Sequence, residues 1–177
     1  MPVTYDGNNP STVVFSDSSY GQSPKPFGGH AILCGGGFVS GCARKLKIAP
    51  QSTAEAENAV YATCGKDMSY FINMWGSDGL QMPIALPLTA YCDNEAAVTT
   101  IKKPGVTQRT KHYETWVQYG RELYLNNKAI PVWIETIYQV ADIFTKALDK
   151  TTFLKFRAAL LNLPYEHIPE KLRAILG

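Results

Sequence analysis

The stretch Leu88-Thr-Ala-Tyr-Cys-Asp-Asn-Glu-Ala-Ala-Val98 constrains the fold of this chain more than any other. The apolar run Leu86 to Cys92 reads as a short buried strand, and it delivers Asp93 into the start of a helix over Asn94 to Lys102. A strand of this kind belongs in an open α/β sheet covered by helices. Such sheets take their ligands beyond the carboxyl ends of the strands, where Asp93 falls. Aspartate is also a common helix cap, so this residue alone does not separate a site from a cap. The balance is shifted by three other segments that offer a carboxylate in a comparable setting.

Taken in order, residues 1–11 are a polar, turn-rich lead-in expected to be poorly ordered. Thr12 to Tyr20 is β-branched and aromatic, hence a strand, with Asp17 inside it against local preference. Phe27 to Cys34 and Phe38 to Ile48 read as two more strands joined by Gly35-Gly-Gly37, an antiparallel meander. A long helix follows to about Trp75, capped by Ser52 or Thr53, with Glu55 in its first turn. After the Asp93 strand and its helix, Pro104-Gly105 is a break and Thr107 to Asn126 a further helix. Ala129 to Glu135 is a fifth strand, and one helix is expected from about Gln139 to Asn162, with Asp142 in its first turn. The order βββαβααβα predicts a mixed sheet in which strands one, four and five run parallel. Residues 12–162 form the domain and 163–177 a C-terminal helical tail.

Composition excludes several classes. With 45% hydrophobic and 18% charged residues, the 177-residue chain is an ordinary globular domain. No apolar run approaches the roughly 18 residues of a membrane span, and the polar start has no signal-peptide core. Cys34, Cys42, Cys64 and Cys92 form no C-x-x-C pair and read as free thiols rather than disulfides or zinc ligands. A net charge of +2 is not that of an autonomous nucleic-acid binder. The charge is uneven, however: Lys102, Lys103, Arg109, Lys111, Arg121 and Lys128 face only Glu114 and Glu122, a local balance of +4.

If the first and fourth strands are neighbours, Asp17 and Asp93 face each other at one end of the sheet. The two helix starts then bring Glu55 and Asp142 to the same place. Four clustered anions repel one another unless divalent cations compensate them. Oxygen donors without Cys or His favour Mg²⁺ or Mn²⁺ over zinc. Two such ions can activate water on one side of a phosphodiester and stabilise the leaving oxygen on the other.

Phe15-Ser-Asp-Ser18, Ser52-Thr-Ala-Glu-Ala-Glu57, Tyr91-Cys-Asp-Asn94 with Arg109-Thr-Lys-His112, and Ala141-Asp-Ile-Phe-Thr-Lys146 occur in this order along the chain. Together they resemble the ribonuclease H domain of copia-type LTR retrotransposons, over roughly residues 12 to 161. The resemblance implies a ribonuclease H-like fold: a five-stranded mixed sheet flanked by helices, its first three strands antiparallel and the first one central. It implies hydrolysis of the RNA strand of RNA–DNA hybrids with two Mg²⁺ or Mn²⁺ ions. Asp17 would bridge the ions, Glu55 would hold one of them, and Asp93 and Asp142 would complete the set. Gln51 and Ser52 would meet the hybrid's minor groove, although Ser52 is equally placed to cap its helix. Ser18, Asn94, Arg109 and Lys111 join the expected substrate contacts. The expected partner in cis is reverse transcriptase, the expected setting a cytoplasmic virus-like particle, and the isolated domain is expected to be a monomer.

Several features depart from the wider ribonuclease H pattern. Glu135-Thr-Ile-Tyr-Gln-Val140, ahead of the last carboxylate, holds no histidine, and only a short link joins the two middle helices, with no added basic helix. The 102–128 stretch is expected to contact phosphates in its place, and His112 to cap or pack. In the family the domain follows reverse transcriptase, so Met1 implies an excised piece or a co-opted gene. The rival readings are a non-catalytic module of the same fold, which should have lost carboxylates, and a DNA nuclease such as a resolvase. Glu55 and Glu57 point about 200° apart on a helix. The small-residue stripe Ala59 and Ala62 and the family's helix pattern favour Glu55 for the sheet side. Glu57 is followed by Val60, Tyr61 and Cys64, however, so its stripe is apolar too and the assignment is not automatic.

Overall fold

Val13, Val14 and Phe15 lie in β1 (Thr12–Ser18), a strand buried along its whole length. The computed structural model describes residues 11–21, 25–76, 79–81, 84–103, 105, 113–164, 166 and 168–177. The expected lead-in (except Ser11), Arg109, Lys111, His112 and the first residues of the helix expected from Thr107 lie outside them. β1 pairs antiparallel with β2 (Phe27–Cys34), and β2 with β3 (Gly37–Lys45), the hairpin turning at Gly35-Gly36. β4 (Leu88–Cys92) lies parallel to β1 on its other side, and β5 (Ala129–Trp133) parallel to β4. The sheet order is β3-β2-β1-β4-β5. This is the expected mixed sheet, with the first strand central and three antiparallel strands leading. β4 starts after Pro87 rather than at Leu86, and β3 stops at Lys45, short of Ile48.

Successive residues of a strand face opposite sides, and β1 feeds two cores accordingly. Val14 joins Ile32, Leu88 and Ala90 beneath α1 (Thr53–Trp75), and Leu123 of α3 (Glu114–Leu125) packs with them. Val13 and Phe15 join Ala31 and Leu33 on the other face. There they meet Val140 and Ala141, Phe156 of α4 (Lys150–Leu161), and Leu172 and Leu176 of α5 (Glu170–Leu176). The 163–177 tail thus contributes core side chains. α2 (Glu95–Lys102) follows β4.

The single helix expected from Gln139 to Asn162 is not formed. Two 3₁₀ turns, Thr136–Tyr138 and Val140–Phe144, come first, and α4 begins only at Lys150. Asp149 starts it afresh: its Oδ1 accepts from the N–H groups of Thr151 (2.9 Å) and Thr152 (3.1 Å), the geometry of an N-cap. The break keeps Asp142 in a turn that lies flat on the sheet.

Two adjacent glycines make that approach possible. Gly29 pairs with Asp17 and Gly28 with Ser18. A Cβ on Gly29 would stand 2.6 Å from Phe144 Cβ and 2.8 Å from Thr145 Cγ2; one on Gly28 would stand 2.6 Å from Val60 Cγ2 of α1. Bare backbone opposite the end of β1 therefore lets the 3₁₀ turn close in from one face and α1 from the other.

Candidate active site

Phe15 pairs with Tyr91 across β1 and β4, and their rings stack with centroids 5.3 Å apart. Two residues further along each chain, on the same face, come Asp17 and Asp93. Asp142 reaches them from the turn Val140–Phe144. Oxygen atoms of Asp17, Asp93 and Asp142 all lie within 4.8 Å of one another. Asp17 and Asp142 are buried, and Asp93 is half-buried.

The fourth carboxylate differs from the expectation. Glu55 reaches back along its own helix, its Oε2 accepting from Gln51 N–H at 2.8 Å while Ser52 Oγ accepts from Glu55 N–H at 3.2 Å. This is a variant of the capping box. Glu57 turns to the sheet instead: its Oε1 accepts from Ser18 N–H (3.0 Å) and Ser18 Oγ–H (2.7 Å), and Oε2 from Cys92 Sγ–H at 3.6 Å. One oxygen each of Glu57 and Asp93, with Cys92 Sγ, again fall within 4.8 Å of one another. The reason lies in the packing of α1. Tyr61, Cys64, Met68 and Phe71 follow Glu57 at spacings of three or four, and all four belong to the core beneath that helix. The large apolar stripe, not the alanine stripe behind Glu55, faces the sheet.

Lys146 and Thr145 fill the centre of the cluster. Lys146 Nζ lies 2.8 Å from Asp142 Oδ1 and 3.2 Å from Asp17 Oδ1. The Thr145 hydroxyl donates to the other oxygen of Asp17, and Thr136 Oγ1 donates to Asp93 Oδ2 at 2.9 Å. Fully buried Gln139 fixes the turn, its Nε2 donating to Ser16 O at 3.1 Å and its Oε1 accepting from Ala141 N–H. Burial, and then the neighbouring Asp142, push the Asp17 carboxyl up to about 7, although Lys146 and Thr145 act the other way. Burial likewise raises Asp142 and holds Glu57, beside Asp17, well above the usual carboxylate range. Lys146 is raised by its carboxylate neighbours in spite of its burial. These are acids gathered at a cost first in desolvation and then in mutual repulsion, which one ammonium only partly offsets.

The donor set fits a hard divalent ion. The four carboxylates supply oxygen only, three of them are mutually within reach of one ion, and a cationic group already lies between Asp17 and Asp142. Cys92, raised by burial and by Glu57, stays a neutral thiol.

The other expected contacts fall as follows. Ser18 is buried and its hydroxyl is spent on Glu57. Asn94 caps α2, its Oδ1 accepting from Ala97 N–H at 3.0 Å. Ser52 caps α1, and Gln51 is exposed beside it. In the basic stretch, Lys102 and Lys103 are exposed. Arg121 is buried and donates to the carbonyls of Thr100, Ile101 and Gly105, so it ties α3 to the end of α2 instead of facing phosphate. A different basic surface emerges where β3 ends: Arg44, Lys45 and Lys47 line a groove of ≈ 270 Å³ with Ala59, Thr63 and Trp116. The cation-rich run Ala43-Arg-Lys-Leu-Lys47 was the signal for it. Ala59 and Thr63 are two and six residues beyond Glu57, about 3 to 9 Å along the helix axis.

No family model matches the chain. Solved structures similar to it are the N-terminal RNase H domain of a Mycobacterium tuberculosis protein (TM-score 0.57, 12% identity, 84% of this chain and 97% of that one) and RNase H1 of Halobacterium salinarum (TM-score 0.57, 14%, 76% and 94%). These likenesses define the class: the domain has the ribonuclease H fold. Curated proteins similar to it include the retrovirus-related Pol polyproteins from transposons RE1 and RE2 of Arabidopsis thaliana and TNT 1-94 of Nicotiana tabacum. Identity to RE1 is 25% over 157 residues, 87% of this chain, and to TNT 1-94 24% over 154 residues, 85% of it. The chain spans about a tenth of the length of these polyproteins, 11% for RE1 and 10% for RE2. It resembles, in sequence and in fold together, the ribonuclease H domain of a copia-type retrotransposon polyprotein. Among the described residues no helix is long and apolar enough to cross a membrane.

Proposed function

We propose that this domain is an endoribonuclease that hydrolyses the RNA strand of RNA–DNA hybrids during retrotransposon reverse transcription. The observation that carries the reading is the convergence of Asp17, Asp93 and Asp142 within 4.8 Å at the carboxyl end of two parallel strands, with Glu57 against Ser18 beside them. Asp17, Glu57, Asp93 and Asp142 would hold two Mg²⁺ or Mn²⁺ ions, which supply Lewis acidity and an activated water at neutral pH. Glu57 takes the place assigned from sequence to Glu55. The protein's own part is positional. Thr136 and Thr145 orient two of the carboxylates, Ser18 orients a third, and Gln139 holds the turn that brings in Asp142.

Substrate would be gripped along α1. Exposed Gln51 at its start faces the minor groove in this reading, where 2′-hydroxyls distinguish RNA from DNA. The Arg44, Lys45 and Lys47 groove takes backbone phosphates, with Trp116 as an apolar wall. A surface of this size gives weak, salt-sensitive binding, which suits a domain tethered within a Pol polyprotein and served by a reverse transcriptase in cis. The place of work in this reading is the cytoplasmic particle of the element.

The test is hydrolysis of labelled hybrid, duplex RNA and duplex DNA side by side, with Mg²⁺, Mn²⁺, Ca²⁺ or chelator. Cleavage of the RNA in the hybrid alone, with Mg²⁺ or Mn²⁺ and not with Ca²⁺, is expected. Cleavage of duplex DNA would favour a resolvase-like activity, and hybrid binding without cleavage a non-catalytic module.

A further inference from the structure

Between Asp17 and Asp142, two of the carboxylates that would hold a divalent ion, lies a cation that the chain itself supplies. Lys146 Nζ is 2.8 Å from Asp142 Oδ1 and 3.2 Å from Asp17 Oδ1, and its side chain is only 22% exposed. The other oxygen of Asp17 is bound by the Thr145 hydroxyl. Gly29 lets this segment lie against the sheet, because any side chain there would strike Phe144 and Thr145. The backbone path thus sets Thr145 against Asp17 and starts the Lys146 side chain beside it.

We propose that Lys146 is a tethered counter-ion of the metal site: it holds Asp17 and Asp142 together in the metal-free domain and must swing out when a divalent ion enters. The inference rests on the metal-dependent reading above. An ammonium and a divalent ion cannot share the same two oxygens, since like charges at such separations repel strongly where water is scarce. Metal binding is therefore an exchange, and its apparent affinity is lowered by whatever Lys146 contributes in the metal-free state. The displaced ammonium stays on a short tether at the mouth of the site, where a substrate phosphate would arrive.

Two substitutions separate this from a merely structural ion pair. Lys146→Gln removes the charge and keeps polar contacts; Lys146→Arg keeps the charge. The readouts are Mn²⁺ affinity by titration calorimetry and Tm with and without Mn²⁺. Lys146→Gln should lower the metal-free Tm, bind Mn²⁺ about tenfold or more tightly, and show a larger Mn²⁺-induced rise in Tm than the wild type. Lys146→Arg should keep the metal-free Tm and bind Mn²⁺ no more tightly than the wild type. Wild-type affinity in Lys146→Gln, or a weaker one, overturns the proposal while leaving the metal-dependent reading in place. A wild-type domain that binds no Mn²⁺ at millimolar concentration overturns both. If Lys146→Gln does not fold, Lys146→Arg decides: tighter Mn²⁺ binding than the wild type would refute the exchange.

Discussion

Replacing either of two glutamates in the first turns of α1 by glutamine distinguishes a cap from a ligand. Glu57 is buried, accepts two hydrogen bonds from Ser18, and sits against Asp17 and Asp93. Glutamine preserves its shape, and its carbonyl oxygen can still accept from Ser18, but the charge that would face the proposed ions is gone. A metal-ligating charge is worth several kcal/mol of transition-state stabilisation, so Glu57→Gln should lower kcat by about 10²–10³-fold at ~1.4 kcal/mol per factor of ten. Stability should move the other way. Burial and neighbouring carboxylates disfavour the Glu57 anion, so neutralising it should stabilise the metal-free fold by about 1 kcal/mol, a rise in Tm of about 2–4 °C for a chain of this size. Glu55→Gln keeps a side chain that serves the same cap, so it should cost less than about 0.5 kcal/mol and retain most activity. The assays are single-turnover cleavage of a labelled hybrid and thermal denaturation in chelator. Loss of turnover in a folded Glu55→Gln protein, with Glu57→Gln active, would refute the placement of α1 and restore the sequence expectation.

The remaining predictions concern pH, packing and grip. Asp17 titrates at about 7 in the fold against an ordinary 3.8, so between these values the folded chain binds a proton that the unfolded chain has released. That stability is fully present below about pH 3.8 and is lost as pH rises through 7; Asp142 and Glu57 shift in the same direction. Metal-free Tm should therefore fall from pH 5 to pH 8, on the order of a few kcal/mol in stability, and Mn²⁺ should abolish the decline; a flat metal-free profile would contradict the burial of these acids. Gly29→Ala should drive Phe144 and Thr145 off the sheet, costing about 1–3 kcal/mol by denaturant melts and weakening metal binding; unchanged Mn²⁺ affinity would show that this approach does not set the site. Replacing Arg44, Lys45 and Lys47 with alanine should raise KM for hybrid, flatten its salt dependence by up to three phosphate contacts, and leave kcat largely intact; an unchanged salt slope would remove the groove from the substrate path.

Much of this was legible because the informative residues stand at element ends. Asp17 inside a strand and Asp93 just past one become neighbours as soon as β1 and β4 are parallel partners. Phe15 and Tyr91, two residues upstream, show the shared face. The choice between Glu55 and Glu57 was not legible from small residues alone. Alanines suit close packing, but the area that drives a helix onto a sheet is carried by Tyr61, Met68 and Phe71, in phase with Glu57. The broken last helix was concealed by its periodicity, although Asp149-Lys-Thr-Thr152 carries a cap signal in the middle of it. Arg121 shows the limit of a charge count, since its guanidinium is consumed by backbone carbonyls at the end of α2. Lys146 stood in the quoted motif, yet its contact with Asp17 depends on Gly29, more than a hundred residues away, and on a 3₁₀ turn that no helical periodicity announces.

The central claim is that Asp17 and its partners activate water for attack on the RNA backbone. It is tested most directly by mapping the ends left on the RNA of a labelled hybrid by the wild-type domain and by Asp17→Asn in Mg²⁺. Attack by water with departure of the 3′ oxygen leaves 3′-hydroxyl and 5′-phosphate ends, and Asp17→Asn should leave the RNA whole. A 2′,3′-cyclic phosphate, the mark of attack by the neighbouring 2′-hydroxyl, or cleavage that persists in Asp17→Asn would contradict the account.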